Sequence, residues 1–532
     1  MTDLKAFLLF VGALLLIVGV GEALRTWADW KPESSRRVVH LLTGLLVAFG
    51  VPMFSSPTPV YILAAIFVVV NLIANSKRWF KGMHGIDRES WGTVTFPLAL
   101  IVALFLCWTL DASRIYILQT AFLVLAVSDP LASFVGTRLK NPKPFIIAGN
   151  RKSVAGSTAF FVSAWLLTVL GILYFPAEQI DLETIAVIGF ITAIVTTAVE
   201  MLSGKGWDNL TIVLAIVALM AALSLSIPET LILLAPLALV CLFAFLAYKL
   251  RFLDYSGALA AGLLGYLLLV GLPVLPWLTP PVVFFVFASL LSKIGKRKKK
   301  SAHRFSDKSD RRDAGQVVAN GGVGGFLLIL SIFVPSLMSP QSQVPENIWF
   351  VAIYWAFVGS FAAAAADTWA TEIGTFFRWP TWRVLTRTQI EPGESGGISV
   401  PGLIGAMVGS LSIFVAAWAV DGIGYRWFLP STGPFEATHE PLSVWLGIVI
   451  VGSGLIASLV DSILGATVQA QYGDSEGRLT ERSEENGVPL PLVSGYRWMT
   501  NDRVNLVCTA VGALIPFLYF LLVPSACPWC IR

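Results

Sequence analysis

Apolar residues in this chain gather in long unbroken runs, with polar residues confined to the gaps between them. Runs of roughly 17 to 25 apolar residues are the length a helix needs to cross a bilayer. Such runs predict sixteen spans, near 5–24, 38–54, 59–76, 92–110, 114–136, 153–174, 184–202, 207–227, 229–248, 255–274, 278–293, 315–337, 347–375, 398–420, 442–470 and 503–524. The fold class that follows is an all-α polytopic membrane protein of about sixteen transmembrane helices. The first run, Ala6 to Ala23, lacks a basic start and a small-residue cleavage site, so it reads as a retained helix rather than a signal peptide. Composition agrees: 56% of the 532 residues are hydrophobic and 13% charged, which excludes a soluble protein.

Charge orients the spans. If the loops after odd-numbered spans are cytoplasmic, they and their helix ends hold all of the 37 basic residues except Lys5, Arg114, Arg426 and Arg532. That predicts an integral membrane protein of the bacterial inner-membrane type, with both termini outside. The net charge of +4 is spread over loops and argues against nucleic acid as a partner.

Two acidic motifs interrupt the apolar runs. AVSDPLASFVG closes span 5 and AAADTWATEIG closes span 13; Asp129 to Gly136 repeats the spacing of Asp367 to Gly374, with Ala132 and Ala370 at matching places. The repetition predicts two repeated bundles, divided as 1–250, 251–295, a basic cytoplasmic loop at 296–313, and 314–532. After Asp129 comes TRLKNPKPFIIAGNRKSVAGS, where Arg138, Lys140, Lys143, Arg151 and Lys152 lead into Ser153, Gly156 and Ser157 at a helix start. After Asp367 comes IEPGESGGISVPG, with Gly393, Ser395, Gly396, Gly397 and Ser399. A basic loop entering a Gly/Ser helix start predicts a phosphate cradle of free backbone N–H groups at the positive end of the helix dipole.

Each half adds further polar groups at the same predicted face. Arg36, Arg37 and His40 stand at the mouth of span 2, and Arg311, Arg312, Gln316 and Asn320 at the mouth of span 12. Glu200 ends span 7, with Ser203, Asp208 and Asn209 in the following turn; Asp461, Ser462, Gln469, Asp502 and Asn505 occupy the corresponding stretch of the second half. Carboxylates beside cations suit Mg²⁺ and a polyphosphate, since Mg²⁺ takes one or two carboxylates plus phosphate oxygens. The ligand candidates are Asp129 and Asp208 in one half and Asp367, Asp461 and Asp502 in the other. Phosphoryl transfer needs mainly positioning and charge neutralisation, and a site built into membrane helices suits a lipid acceptor. Other readings stay open: transporter ion sites for Asp129 and Asp367, helix N-caps for Asp208 and Asp502, and a capping or snorkelling role for His40.

RRVVHLLTG, WGTVTFPLAL, SDPLASFVG, KSVAGSTAFF and EMLSGKGWDNL make the first half resemble the phytol kinase and dolichol kinase family. DYSGALAAGLLG, GQVVANGGVGG, AADTWATEIG, PGESGGISVPGLIGA, SLVDSILGATVQ and NDRVNL make the second half resemble the phytyl phosphate kinase family. The resemblance implies a fusion in which a prenyl alcohol becomes the monophosphate and then the diphosphate, with Mg²⁺ and a nucleoside triphosphate, usually CTP. It implies a first site of Asp129, Lys152, Gly156, Glu200 and Asp208, beside which Arg36, Arg37, Ser153, Ser157 and Asn209 stand as phosphate-binding candidates on their own residue types. It implies a second of Asp367, Glu372, Gly396, Gly397, Ser399, Asp461, Asp502 and Asn505, with Lys293 and Arg312 beside them. His40 or Glu200 would serve the acceptor hydroxyl as base. Ser128 departs from the glycine that relatives often carry before the motif aspartate. A secondary transporter built on parallel repeats and a lipid cytidylyltransferase are the competing classes, and phytol, farnesol and geranylgeraniol all remain open as the prenyl group.

Less specific features complete the reading. KRKKK at 296–300 is a cytoplasmic linker attracted to anionic lipid. The loop 421–441 with His439 and the insertion SEENGVPLP at 483–491 are candidate lids. Cys107, Cys241 and Cys508 read as packing residues, and CPWC at 527–530 as a disulfide or free thiols on the outer side.

Overall fold

A computed structural model of the chain describes residues 2–77, 91–139, 142–175, 180–225, 230–270, 274–294, 311–337, 346–377, 379–427, 444–474, 479–485 and 488–523. The 296–300 linker, His439 with most of its loop, and CPWC lie outside the described residues. The chain divides into two compact units, Met1–Cys241 and Leu242–Arg532.

Unit 1 contains α1 (Asp3–Thr26), α2 (Pro32–Gly50), α3 (Thr58–Lys77), α4 (Gly92–Leu104, prolonged by a π-turn to Thr109), α5 (Ile115–Arg138), α6 (Val154–Tyr174), α7 (Leu182–Leu202) and α8 (Asp208–Leu225). Helix α9 (Thr230–Lys249) runs across the boundary. Unit 2 continues with α10 (Tyr255–Val270), α11 (Val274–Lys293), α12 (Ala314–Leu337), α13 (Glu346–Phe377), α14 (Val400–Trp427), α15 (Val444–Thr467) and α16 (Asn501–Leu522). Each predicted span therefore has its helix among the described residues. Among the described residues, twelve of the helices are long and apolar enough to cross a bilayer. In the other four, the apolar stretches within the described residues are Thr58–Ala74, Asp208–Leu223, Leu234–Lys249 and Tyr255–Val270.

Connections expected as irregular loops contain short antiparallel strands. In unit 1, β1 (Pro144–Ile147) pairs with β2 (Asn150–Ser153) around a two-residue turn whose residues Ala148 and Gly149 both have positive φ, 48° and 73°. Two left-handed central residues make a type I′ turn, which matches strand twist. In unit 2, β3 (Thr381–Arg383) lies between β4 (Gln389–Ile390) and β5 (Gly397–Ile398). A second small sheet joins β6 (Gln471–Gly473), β7 (Leu479–Thr480) and β10 (Leu492–Ser494), while β8 (Glu484–Glu485) and β9 (Val488–Pro489) form a hairpin within the 483–491 insertion.

Among the twelve long apolar helices, each motif helix is the most buried of its unit. In its most apolar stretch, 67% of α5 is buried against 17% of α1, and 83% of α13 is buried. Small side chains allow this: Ser360 and Ala362 to Ala366 on α13 are all buried. At Gly512 on α16 an added β-carbon would meet the Gly359 carbonyl oxygen at 2.8 Å, so backbones approach closely where no side chain intervenes. Outward-facing leucines such as Leu8, Leu9, Leu15 and Leu16 on α1 suit contact with lipid. The central position of α5 and α13 brings their aspartates to the end of each bundle where the strands and helix starts converge.

Candidate functional site

In unit 1 the site begins with a close helix crossing. Ser153 is the N-cap of α6 and its Oγ accepts from Gly156 N–H at 3.1 Å. A β-carbon at Gly156 would stand 2.9 Å from the Ala132 carbonyl oxygen, and one at Gly136 would stand 2.7 Å from Ser153 Oγ. Glycine on both helices lets the start of α6 lie on the last turns of α5. This corrects the expected cradle: Val154 N–H donates to the Lys143 carbonyl at 3.1 Å and Ala155 N–H to the Pro142 carbonyl at 3.3 Å. Backbone ahead of β1, with Lys143 in the left-handed region, folds over the helix start and takes the donors a phosphate would need.

Charged side chains remain. Lys152, on β2, donates to Glu200 Oε1 at 2.5 Å, and the hairpin is held there by Asn150 Nδ2 donating to the Leu202 carbonyl at 3.2 Å. Asp129 is half-buried, with His40 Nε2 3.9 Å from its Oδ2. Glu200, Lys152, Arg36 and Asp208 all lie within electrostatic reach of Asp129. Among the described residues, Glu200 Oε2, Ser128 Oγ and Ser157 Oγ are buried without a hydrogen-bond partner, a state that native structures seldom leave unexplained. Pro130, directly after Asp129, removes one backbone donor from α5.

Two predicted members are committed elsewhere. Arg37 pairs with Glu33 at 3.8 Å on its own helix. Asn209 is buried and donates from Nδ2 to the Gly92 carbonyl at 2.9 Å, joining the heads of α8 and α4. Asp208 is the first residue of α8 and accepts from Asn209 N–H at 3.1 Å.

Unit 2 repeats the crossing. Ser399 Oγ accepts from Gly402 N–H at 3.2 Å; a β-carbon at Gly402 would lie 3.2 Å from the Ala370 carbonyl oxygen and one at Gly374 3.0 Å from Ser399 Oγ. The partner of Gly156 is therefore Gly402, which the sequence reading passed over in favour of Gly396 and Gly397. Those two have another task. Gly396, with φ of 82°, lies so close to Ala466 that a β-carbon would stand 2.7 Å from it, and Gly397 enters β5 beside Thr381.

Beneath that loop is a cavity of about 370 Å³. Asp367, Glu372, Asp461 and Asn505 line it, as do Lys293, Arg312, Gly396, Gly397 and Ser399. The carboxyls of Asp461 and Asp367 are hydrogen-bonded to each other. Cys508 donates from Sγ to Asp461 Oδ1 at 3.6 Å, so it is more than the packing residue expected. With its amide nitrogen turned inward, Asn505 donates to the same oxygen at 3.3 Å. Asp502 is not among the residues lining the cavity; it lies in the first turn of α16 by Gly315, where a β-carbon would meet its Oδ2 at 2.6 Å. Arg312 is half-buried over the Phe284 ring; burial lowers its pKa from the usual arginine value, and the Glu372 carboxylate opposes that shift. Sequence reasoning also missed Arg251, which lines the cavity, and Glu481, which accepts from Ser395 Oγ at 2.8 Å and Gln469 Nε2 at 2.7 Å and so ties the glycine loop to the segment that follows α15.

The pairing of span 2 with span 12 is only half seen in the packing. α12 packs on both α13 and α16, whereas in unit 1 those contacts are divided, α2 lying on α5 and α4 on α8.

Helical spans, exposed apolar flanks and polar groups gathered at the helix ends define an integral membrane protein. The chain belongs to the DUF92 family of integral membrane proteins, whose pattern matches residues 238–513. Protein PGR of Arabidopsis thaliana is 28% identical over 285 residues, covering 50% of this chain and 88% of the Arabidopsis protein. A membrane protein of Methanocaldococcus jannaschii is 26% identical over 300 residues, 55% of this chain and 96% of its own length. The probable phytol kinase 2 of Glycine max is 29% identical over 152 residues, so this match covers 28% of this chain and about half, 49%, of that relative. No solved structure matches the chain.

Proposed function

We propose that the chain is a two-site lipid kinase: unit 1 phosphorylates a prenyl alcohol and unit 2 phosphorylates the resulting monophosphate. The observation that carries this reading is the repeated crossing, Ser153–Gly156 on Gly136 and Ser399–Gly402 on Gly374. In both units it sets the aspartate of the central helix beside further carboxylates and cations at one end of the bundle. Partial relatives named phytol kinases support an alcohol as one acceptor.

Among the described residues no three acidic, histidine or cysteine groups converge as a metal cluster, but Asp367 and Asp461 come close enough to hydrogen-bond, and two carboxylates with phosphate oxygens suffice for Mg²⁺. Asp129 and Asp208 would hold the ion in unit 1. When bound, it neutralises charge on the transferring phosphoryl group.

In unit 1, the alcohol oxygen bonds to the γ-phosphorus, the bond from that phosphorus to its bridging oxygen breaks, and the nucleoside diphosphate leaves. The hydroxyl proton passes to His40, whose ring is held by the contact of Nε2 with the Leu125 carbonyl at 3.3 Å, since Glu200 is already engaged by Lys152. Lys152, Arg36 and the unpartnered Ser157 hydroxyl bind the phosphates in place of the occupied backbone donors. We take CTP as the donor, and a bacterial-type inner membrane with the sites on the cytoplasmic side and both termini outside, from the family resemblance and the basic loops.

The test is purified full-length protein given phytol, farnesol or geranylgeraniol with each nucleoside triphosphate and Mg²⁺. The expected products are prenyl monophosphate, then diphosphate, with matching nucleoside diphosphate. Release of pyrophosphate would mark a cytidylyltransferase instead, and no phosphorylated lipid with any nucleotide would overturn the kinase reading.

A further inference from the structure

Two chemically opposed groups of residues line the cavity of unit 2. Helices α13 and α15 contribute Asp367, Glu372 and Asp461; the end of α11, the turn after α9 and the start of α12 contribute Lys293, Arg251 and Arg312. The cationic heads are placed by aromatic faces. Lys293 Nζ stands 3.6 Å from the centre of the Phe252 ring, and Arg312 Cζ 5.5 Å from that of Phe284. A ring face fixes a cation without using up its hydrogen-bond donors, which stay available to an anion. The Arg312 backbone is fixed as well, its N–H donating to the Phe252 carbonyl at 3.1 Å and its carbonyl accepting from Asp254 N–H at 3.0 Å.

Unit 1 has no matching cluster among its described site residues. Lys152 there is tied to Glu200, and Arg36 is the other cation within reach of Asp129. An alcohol acceptor is neutral and needs no counter-charge. A monophosphate acceptor brings negative charge toward the nucleotide's own phosphates, and that repulsion must be offset.

Resting on the kinase reading of unit 2, we infer that Arg312 and Lys293 form the subsite for the phosphate monoester of the acceptor, distinct from the nucleotide's phosphates, and so make unit 2 select a lipid monophosphate over an alcohol. In the step they serve, a non-bridging oxygen of the monoester bonds to the γ-phosphorus. The bond from that phosphorus to its bridging oxygen breaks, and the nucleoside diphosphate departs. The attacking oxygen is already ionised, so no proton has to be moved. Arg312 supplies a planar fork of donors for two phosphate oxygens, and Lys293 a point charge.

The test uses full-length protein in detergent, with farnesyl monophosphate as probe and farnesol as the uncharged control. Binding is measured without nucleotide, and KM values with it. Arg312→Gln and Lys293→Met should each weaken farnesyl monophosphate about tenfold or more, the loss expected for one charge-assisted hydrogen bond, while the nucleotide KM stays within about threefold. Arg312→Lys should recover part of the loss. Should Arg312→Gln fail to fold, judged by its melting temperature, Lys293→Met at the exposed helix end decides alone. Unchanged monophosphate binding in the variants, or an equal rise in the nucleotide KM, would overturn the inference. If the wild type binds the monophosphate through these residues yet makes no diphosphate, the subsite stands and the kinase reading of unit 2 falls. If the wild type makes diphosphate and the variants keep their monophosphate KM, the reverse holds.

Discussion

In unit 1 a β-carbon at Gly156 would lie 2.9 Å from the Ala132 carbonyl oxygen; in unit 2 one at Gly402 would lie 3.2 Å from that of Ala370. The two joints are nearly superposable in their contacts, yet their surroundings diverge. Around the first stand His40 and the Lys152–Glu200 pair, and around the second the Asp367–Asp461 contact with Lys293 and Arg312. What is shared holds the aspartate in register with the strands and helix starts. On the proposed kinase reading, what differs matches the acceptor: a group able to take a proton in unit 1, for an alcohol, and cations in unit 2, for a phosphate.

The largest expected effect separates the units. Asp129→Asn keeps size and one oxygen but loses the charge, so monophosphate formation from alcohol should fall roughly a thousandfold, the range for loss of a charged group acting on the transition state. Conversion of added monophosphate by the same variant should be unchanged, measured as initial rates on both substrates. His40→Phe comes next. It preserves the edge-on ring contact with Phe96, 5.5 Å between centres, but removes the proton acceptor. The alcohol step should drop about a hundredfold, and its pH dependence should flatten.

Smaller effects sharpen the likeness of the joints. Gly156→Ala should cost about 1–3 kcal/mol, because its new methyl meets backbone that cannot rotate away. Gly402→Ala, with 3.2 Å to its nearest carbonyl, should cost less. Melting temperatures in detergent would rank them, and a greater loss for Gly402→Ala would contradict the geometry. Ser153→Ala and Ser399→Ala remove equivalent N-caps and should each lower stability by about 1 kcal/mol, alike within error.

Much of this was legible in the chain. Apolar runs of bilayer length are strong signals because lipid forces every backbone group into an internal hydrogen bond, so each span found its helix. Spacing from Asp129 to Gly136 and from Asp367 to Gly374 exposed the repeat. The joint itself was written as SVAG and SVPG, a Ser–Val–x–Gly pattern at 153–156 and 399–402, but the glycine-rich stretch just ahead of Ser399 drew attention from Gly402. Other features depend on tertiary placement that no local pattern encodes. The Pro142 and Lys143 carbonyls reach the head of α6 only because Lys143 turns left-handed and a type I′ hairpin follows. Asp502 sits one turn from Asn505, yet it lies against Gly315 and is not among the residues that line the cavity. Cys508 looked like any apolar-span cysteine until α15 placed Asp461 beside it.

Division of labour between the two sites is tested most directly with Asp367→Asn, supplied with prenyl alcohol and radiolabelled nucleoside triphosphate, its lipid products separated by thin-layer chromatography. Loss of charge at Asp367 leaves unit 1 intact, so labelled monophosphate should accumulate at the wild-type rate while diphosphate disappears. Diphosphate at the wild-type yield, or loss of both products together, would contradict the account.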